Sequence, residues 1–381
     1  MGCASSAGSA KAPETQRRRL SVGHVEGTAD AASADATEED RGIISSLNEQ
    51  TIIELVDAAG DNMGRKMSIG SETDQGKTSF ANKSIQQMGD EIDPVSCGLG
   101  YTCRKGLKPE SPNQDSWFVL KMEGCSIYAV FDGHGQKGHD VSNFVKENLP
   151  KLIIKDSRFK EGDKHAMLKE IFKRTQSLIS TADRMKKLSA QMSGTTATVC
   201  LHDHVSNMIT LAHVADSTAV LCRAVGSKEF EGIALTRDHK PNLKDERARI
   251  EKAGGRVVFD GYANHRVYAK QARYPGLNMS RCLGDLMGHA DCGVSCEPEV
   301  SDRELRPEDS QLLLCSDGVW EFIAPTEAVS ITAGFPATKA MQAADRLAKE
   351  SWDRWIREEG GAVVDDITVV LIYLSASHNQ G

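Results

Sequence analysis

The stretch YAVFDGHGQKG, Tyr128–Gly138, runs apolar up to Asp132 and then sets three glycines around His134. A second stretch, LLLCSDGVW, repeats the device, placing Asp317 and Gly318 after an apolar run. Asp365-Asp366 opens VVDDITVVLIYL, Asp216 separates two apolar runs in AHVADSTAV, and Asp115 immediately precedes SWFVL. A strand end is a rigid mount for a short carboxylate, and strand ends of adjacent sheets can converge on one cleft. Carboxylates that meet raise each other's pKa unless a cation sits among them. Hard oxygen donors without Cys or several His select Mg²⁺ or Mn²⁺ over zinc. Two such ions ~3.5–4 Å apart can share one carboxylate and hold a nucleophilic water against a phosphoryl group. Gly133 lets the backbone come close enough for its carbonyl to join them. Taken singly, each of these aspartates reads better as a turn or cap residue, because Asp-Gly is a common turn dipeptide.

The elements that must position these groups are legible from about residue 95. SWFVLKM, SIYAVF, TTATVCLH, MITLAHV, STAVLCRA, QLLLCS and ITVVLIYL are short, β-branched or aromatic, and bounded by turn residues. Helical period marks 164–190 (Leu168, Phe172, Leu178, Ile179, Met185, Leu188) and 338–356 (Met341, Ala344, Leu347, Ala348, Trp352, Trp355, Ile356). Three strands crowd into 195–224 without room for crossover helices, which predicts antiparallel pairing and a layered α/β domain. Upstream, Ser46 and Glu49 have capping-box spacing and Gly60 is a candidate stop, so 43–60 reads as one short docking helix. Residues 61–93 read as linker, and 1–42, poor in large apolar residues, as a disordered arm.

Seven stretches in order, VFDGHGQKG, SGTTATVCLH, AHVADSTAVL, LTRDHKPN with ERARIEKAGGRV, SRCLGD, LLLCSDGVWEF and DDITVVLIYL, resemble the sequential motifs of the metal-dependent protein phosphatases, the type 2C serine/threonine family. The resemblance covers about 95–375, leaving 376–381 as a tail. It implies two stacked antiparallel β-sheets flanked by α-helices, with a binuclear Mg²⁺/Mn²⁺ centre at one edge. Residue by residue, it implies that Asp132 bridges both ions, Gly133 gives its carbonyl to one, and Asp317 and Asp365 complete the first site, with Asp365 rather than Asp366 aligning with the ligand. Asp216 matches a third, weaker metal position. His134 matches the general acid that protonates the leaving serine or threonine oxygen. Ser193 and Thr196 are expected to support the site. The implied reaction is direct hydrolysis by metal-activated water, with no phosphoenzyme.

The chain departs from the family pattern in three places. Gln114-Asp115 stands where many members have Glu-Asp, which leaves Asp115 as an outer group on metal-bound water or a direct ligand. Glu110 stands near the usual place of a phosphate-binding arginine, so Arg104, Lys105 and Lys108 are the cations left to meet a phosphate. Ala215 replaces a common glycine beside Asp216. Residues 256–280, with Arg256, His265, Arg266, Lys270 and Arg273, fall where relatives carry a flap, and a basic flap or a generic charged surface are equally good readings.

The amino terminus, MGCASS, fits an N-myristoylation signal on Gly2, with Cys3 beside it for palmitoylation. One acyl chain holds a membrane only marginally, with K of ~10⁴ M⁻¹. Cys3 and the basic Arg17–Arg19 supply the second signal, and phosphorylation of Ser21 in RRRLS would weaken it. The expected location is intracellular, lipid-anchored at the cytoplasmic face of a membrane with a cytosolic pool, and the expected partners are phosphoproteins. The formal charge of −8 over 381 residues argues against general nucleic-acid affinity, and no apolar run approaches the ~20 residues of a membrane span. Ten scattered cysteines read as free thiols. Two other readings follow from the same residues. A pseudophosphatase serving as a tethered binding module draws on Gln114 and the absent arginine, and a two-metal nuclease lacks the basic track it would need.

Overall fold

The computed structural model describes residues 38–59, 64–91, 93–108 and 111–374. The acylation sites Gly2 and Cys3, most of the expected arm, and Glu110 lie outside the described residues. Two large antiparallel sheets stack face to face. The seven-stranded sheet runs Glu299–Glu304, Met208–Val214, Ala197–Asp203, Cys125–Phe131, Ser116–Lys121, Met67–Ser71, Ile85–Gly89. The five-stranded sheet runs Phe230–Ala234, Thr218–Ala224, Asp309–Cys315, Ile367–Tyr373, Leu99–Arg104.

The continuous apolar runs in the sequence follow from burial on both faces, because a two-sided strand has no solvent face to mark with polar residues. Along Ser116–Lys121, Trp117 and Val119 point between the sheets, where they meet Leu221, Leu312, Leu314 and Val370. Phe118 and Leu120 point outward onto Val145, Leu149, Leu168 and Phe172 of the helices Gly138–Lys155 and Lys164–Arg184. The outer face of the five-stranded sheet packs Val220, Leu313, Val369 and Leu371 against Val329, Leu347 and Trp355 of Pro325–Ala333 and Ala340–Glu358. Each such side chain contributes roughly 1.5–3 kcal/mol when fully buried. The layering is helix, sheet, sheet, helix, as the resemblance implies.

Two expectations are corrected. The stretch 61–93 is not a bare linker: Met67–Ser71 and Ile85–Gly89 extend the seven-stranded sheet, with Met67 and Ile69 fully buried. Their small Ser and Gly neighbours hid the strand. The capping box is Thr51 with Glu54, not Ser46 with Glu49. Ser46 lies inside an earlier helix, Glu38–Glu49, which starts sooner because Ile44 and Leu47 pack on Leu178 and Ala182. The crowded strands of 195–224 pair antiparallel, as expected, but they are shared between the two sheets. Ala197–Asp203 pairs with Met208–Val214, but Thr218–Ala224 belongs to the other sheet. The connecting turn crosses between sheets at Ala215, a non-glycine residue at φ +73°.

Two small sheets complete the fold. One is the flap, Gly255–Phe259, His265–Ala269 and Pro275–Leu277. The other joins Gly133–His134, Gly194–Thr195 and Leu283–Gly284. That second sheet ties three distant motifs, DGHG, SGTT and SRCLGD, into one rigid unit.

Candidate metal centre

Asp132 follows the Cys125–Phe131 strand and is pinned from both sides by the SGTT segment. Its amide donates to Thr196 Oγ1 at 2.9 Å, while its carbonyl accepts from the Thr196 amide at 2.9 Å and from Thr195 Oγ1 at 3.1 Å. Thr196 Oγ1 also meets Ser217 Oγ at 2.6 Å, which joins the Asp132 mount to the turn bearing Asp216. Ser193 Oγ accepts from the Lys137 amide at 3.0 Å, bracing the DGHG loop. A Cβ on Gly133 would sit 2.5 Å from the Gly138 carbonyl and 2.6 Å from that of Gln114, so only glycine fits there.

The other acidic residues gather around Asp132. Burial first, and then Asp115, Asp317, Asp365 and Asp216 in that order, push its carboxyl well above the usual carboxylate range. Asp115 is fully buried, and burial and Asp366 push it up to about 7. Its Oδ2 accepts from Ser316 Oγ and Thr368 Oγ1, both at 2.7 Å, whereas its Oδ1 is buried with no hydrogen-bond partner. Asp317 opens a single helical turn, and Gly318 beside it lies so close to the Asp366 carbonyl that a Cβ would overlap it at 2.0 Å. Asp365 Oδ1 accepts from Lys108 Nζ at 2.6 Å. Burial raises the Asp365 carboxyl against the opposing pull of Lys108. Burial alone would lower the Lys108 ammonium, but Asp365 and Asp366 more than offset it and raise it. Asp216, also buried, is bonded by Lys240.

Asp366 adds its charge to this set but spends its hydrogen bonds on backbone: its two oxygens accept from the amides of Gly106 at 2.7 Å and Gln114 at 2.8 Å, so it anchors the loop before the first motif. Gln114 uses its amide nitrogen on the Gly135 carbonyl at 2.7 Å and braces the DGHG loop.

The cations separate. Lys108 reaches the cluster. Arg104 does not: its guanidinium is tied to Asp345 at 2.8 Å and lies over the Phe80 ring on the side of the Ala340–Glu358 helix. That corrects the expectation that Arg104 meets substrate phosphate, because its strand position points it away from the cleft. Lys105 is buried on the carbonyls of Gly106 and Lys108. In the flap, Arg256 bonds the carbonyls of Ala269 and Ala272, and Arg266 bonds Asp260, so two of its basic residues serve the flap itself.

The motif reading gives Asp285 no role, yet it holds His134. His134 Nε2 lies 2.5 Å from Asp285 Oδ2, and His134 Nδ1 is buried without a hydrogen-bond partner. Burial would lower the imidazole, but Asp285 outweighs it and the net shift is upward, toward the imidazolium. Asp285 reaches His134 from a left-handed backbone, φ +42°, and also accepts from Cys282 Sγ at 3.2 Å. Its only sequence signal is the Gly-Asp pair after Leu283, a weak one. His213, His239 and Glu299 form a second cluster whose ligand-capable atoms lie within 4.8 Å of one another. Hydrogen bonding already fixes its tautomers. The Ala215 amide donates to His239 Nδ1 at 3.1 Å, His213 Nε2 donates to the Arg237 carbonyl at 2.9 Å, and Glu299 is held by Arg237. It is a hydrogen-bonded brace rather than a ligand set.

The description "Protein phosphatase 2C" belongs to the family model that matches residues 114–358. Probable protein phosphatase 2C 48 of Oryza sativa subsp. japonica is 32% identical over 346 residues, covering 82% of this chain and 96% of that protein. Probable protein phosphatase 2C 3 of Paramecium tetraurelia is 31% identical over 274 residues, covering 66% and 84%. In fold, the chain is similar to the crystal structure of serine-threonine phosphatase 2C from Toxoplasma gondii, with a TM-score of 0.63, 17% identity, and 72% and 94% of the two chains covered. The fold, the order of the motifs and these likenesses agree: the chain belongs to the protein phosphatase 2C family, the metal-dependent serine/threonine protein phosphatases.

Proposed function

We propose that the chain hydrolyses phosphoserine and phosphothreonine at a two-ion Mg²⁺ or Mn²⁺ centre in which Asp132 is the shared ligand. The observation that carries this reading is the crowding of four acidic side chains around Asp132, whose carboxyl is driven well up by burial and then by those neighbours. The donor set suits hard cations. It offers carboxylates and the Gly133 carbonyl, and the unpartnered buried Oδ1 of Asp115 is a donor atom in search of a charge. Asp317 and Asp365 would hold one ion with Asp132 and Gly133, while Asp115 steadies the water shell. Asp216, with Lys240 on it, takes the weaker third position. When bound, the ions would supply an activated water and offset charge on the phosphoryl oxygens.

The rest falls to the protein. His134, whose pKa Asp285 raises, would give its proton to the leaving serine or threonine oxygen, a contribution typically of ~10²–10⁴-fold. Lys108, on Asp365, is a cation at the cluster for a phosphate to meet, as a point charge rather than a planar fork.

The amino-terminal signal supports a reversible membrane tether through acylated Gly2 and Cys3. Among the described residues no helix is long and apolar enough to cross a membrane. The deciding experiment is release of phosphate from a phosphothreonine peptide by the full chain. Turnover with Mn²⁺ that chelator abolishes is expected, and absence of turnover at any Mn²⁺ concentration would leave a binding module instead. For the tether, Gly2→Ala is expected to move the chain from the membrane fraction to the soluble one, and an unchanged membrane fraction overturns it.

A further inference from the structure

The polar stretch before the first motif contains a lysine that is only 4% exposed. Lys83 Nζ donates to the Asp115 carbonyl at 2.6 Å, with the Asn113 carbonyl at 3.3 Å and Ser116 Oγ at 3.4 Å. Every one of these acceptors is a neutral oxygen. A buried ammonium is costly without close compensation, and such groups are ordinarily paired with an opposite charge. Here the ammonium is wrapped by the backbone of residues 113–116, the turn that delivers the Asp115 carboxylate to the cleft.

The segment that carries Lys83 is built to hold it there. Residues 80–83 run along the outer edge of Leu99–Arg104, with the Phe80 amide on the Lys105 carbonyl at 2.8 Å, the Lys105 amide on Ala81 at 3.0 Å and the Lys83 amide on Cys103 at 2.9 Å. Asn82 Oδ1 accepts from the Cys103 amide at 2.9 Å and Thr102 Oγ1 at 3.1 Å. Phe80, at φ +60°, packs its ring 4.8 Å from that of Trp352 and under Arg104. On the other flank, Met67–Ser71 pairs with Ser116–Lys121, and Ser71 Oγ accepts from the Trp117 amide at 3.2 Å. The segment therefore straps the edges of both large sheets together at the point where Asp115 enters the cleft. It lies wholly before residue 114, where the match to the family model begins.

We infer that Lys83 is a positioning residue for the metal centre, acting through Asp115: its ammonium gathers the carbonyls of Asn113 and Asp115 and so aims the Asp115 carboxylate at the cation. The inference rests on the metal-centre reading above. Asp115 Oδ2 is already fixed by Ser316 and Thr368, so the carboxylate is held at its tip and, by Lys83, at its root. Loss of such an outer-layer partner typically weakens a metal site by ~10–100-fold.

The test is Mn²⁺ binding to the full chain, read from the paramagnetic resonance signal of free Mn²⁺, with phosphopeptide kinetics alongside. Lys83→Met is expected to weaken Mn²⁺ binding by about 10–100-fold and to leave KM for the peptide unchanged at saturating Mn²⁺. Lys83→Gln, which keeps an N–H donor, is expected to fall between parent and Met, and it carries the test if the Met variant does not fold. A double-mutant cycle separates positioning from general support. In an Asp115→Asn background, Lys83→Met is expected to cost little more, and a full additional loss there would overturn the inference. A parent that binds Mn²⁺ together with an unmoved Lys83→Met variant overturns this inference alone. A parent that binds no Mn²⁺ overturns the metal centre and this inference with it.

Discussion

Asp132 in the cleft and Glu246 at the root of the flap are both carboxylic acids surrounded by protein, and burial acts first on each, pushing its pKa up. In the cleft the neighbours are further aspartates, and the carboxyl rises far above its ordinary value. At the flap root, Glu246 accepts from Arg281 at 2.6 Å, Arg249 at 2.7 Å and Ser280 Oγ at 2.6 Å, and its carboxyl falls well below its ordinary value. Burial does not decide the sign, and the partners do. Glu246 is a finished knot that locks the Lys244–Lys252 helix onto the loop leading to Asp285. The cleft is unfinished chemistry, with acids brought together and no guanidinium supplied.

Replacing one acid in each region should break the comparison most visibly. Asp132→Asn is expected to lower phosphopeptide turnover by on the order of 10³-fold or more, since it removes the proposed shared ligand. The metal-free variant should be at least as stable as the parent, because a repelling charge has gone, and a large fall in its denaturant midpoint would contradict the cleft as described. Glu246→Ala should do the opposite, costing about 3–5 kcal/mol of stability. The lower end is expected because Arg249 still reaches water, and equilibrium unfolding measures it.

A finer contrast lies in His134. Because Asp285 raises its pKa, the imidazolium persists above its ordinary ~6.5, and the stabilisation from the pair is full below that value and lost as pH rises through the raised one. Asp285→Asn removes the cause of the raise, so the alkaline limb of kcat/KM should move to lower pH and turnover should drop roughly 10–100-fold. An unmoved limb would show that His134 is not the acid. The smallest effect concerns Asp115, whose carboxyl is pushed up to about 7. A proton competes with a cation for it, so Mn²⁺ affinity should fall as pH drops below about 7, by about tenfold per pH unit for each proton displaced. Binding flat from pH 8 to pH 6 would remove Asp115 from the centre.

The acids were legible in the sequence because a strand ending in Asp-Gly states both its direction and its end. The two-sheet layering was legible because uninterrupted apolar runs such as ITVVLIYL leave no face for water. What escaped has physical reasons. The Gly138–Lys155 helix carries Pro150 inside it and mixes buried Asn143 and Asn148 into its packed face, which blurs the period. Asp285 depends on a left-handed backbone that no side chain announces. Lys83 sits among Ser, Asn and Gln, where a lysine reads as solvated, and only the strap around it makes it internal. The crossing at Ala215 was hidden because a tight hairpin and a change of sheet leave the same short spacing.

One consequence follows from the bond between the Gly106 amide and Asp366, groups 260 residues apart in the chain. The Ile367–Tyr373 strand inserts between Asp309–Cys315 and Leu99–Arg104, so the sheet cannot close until these distant segments have all been made. Pairings of such long sequence separation form slowly. At the ~5–20 residues per second of translation, a nascent chain spends many seconds with most of its strands made and Asp365 still inside the ribosome. Cation uptake at the proposed centre therefore waits for residue 365, and a polypeptide that stops short of it is left holding the fragments of a sandwich.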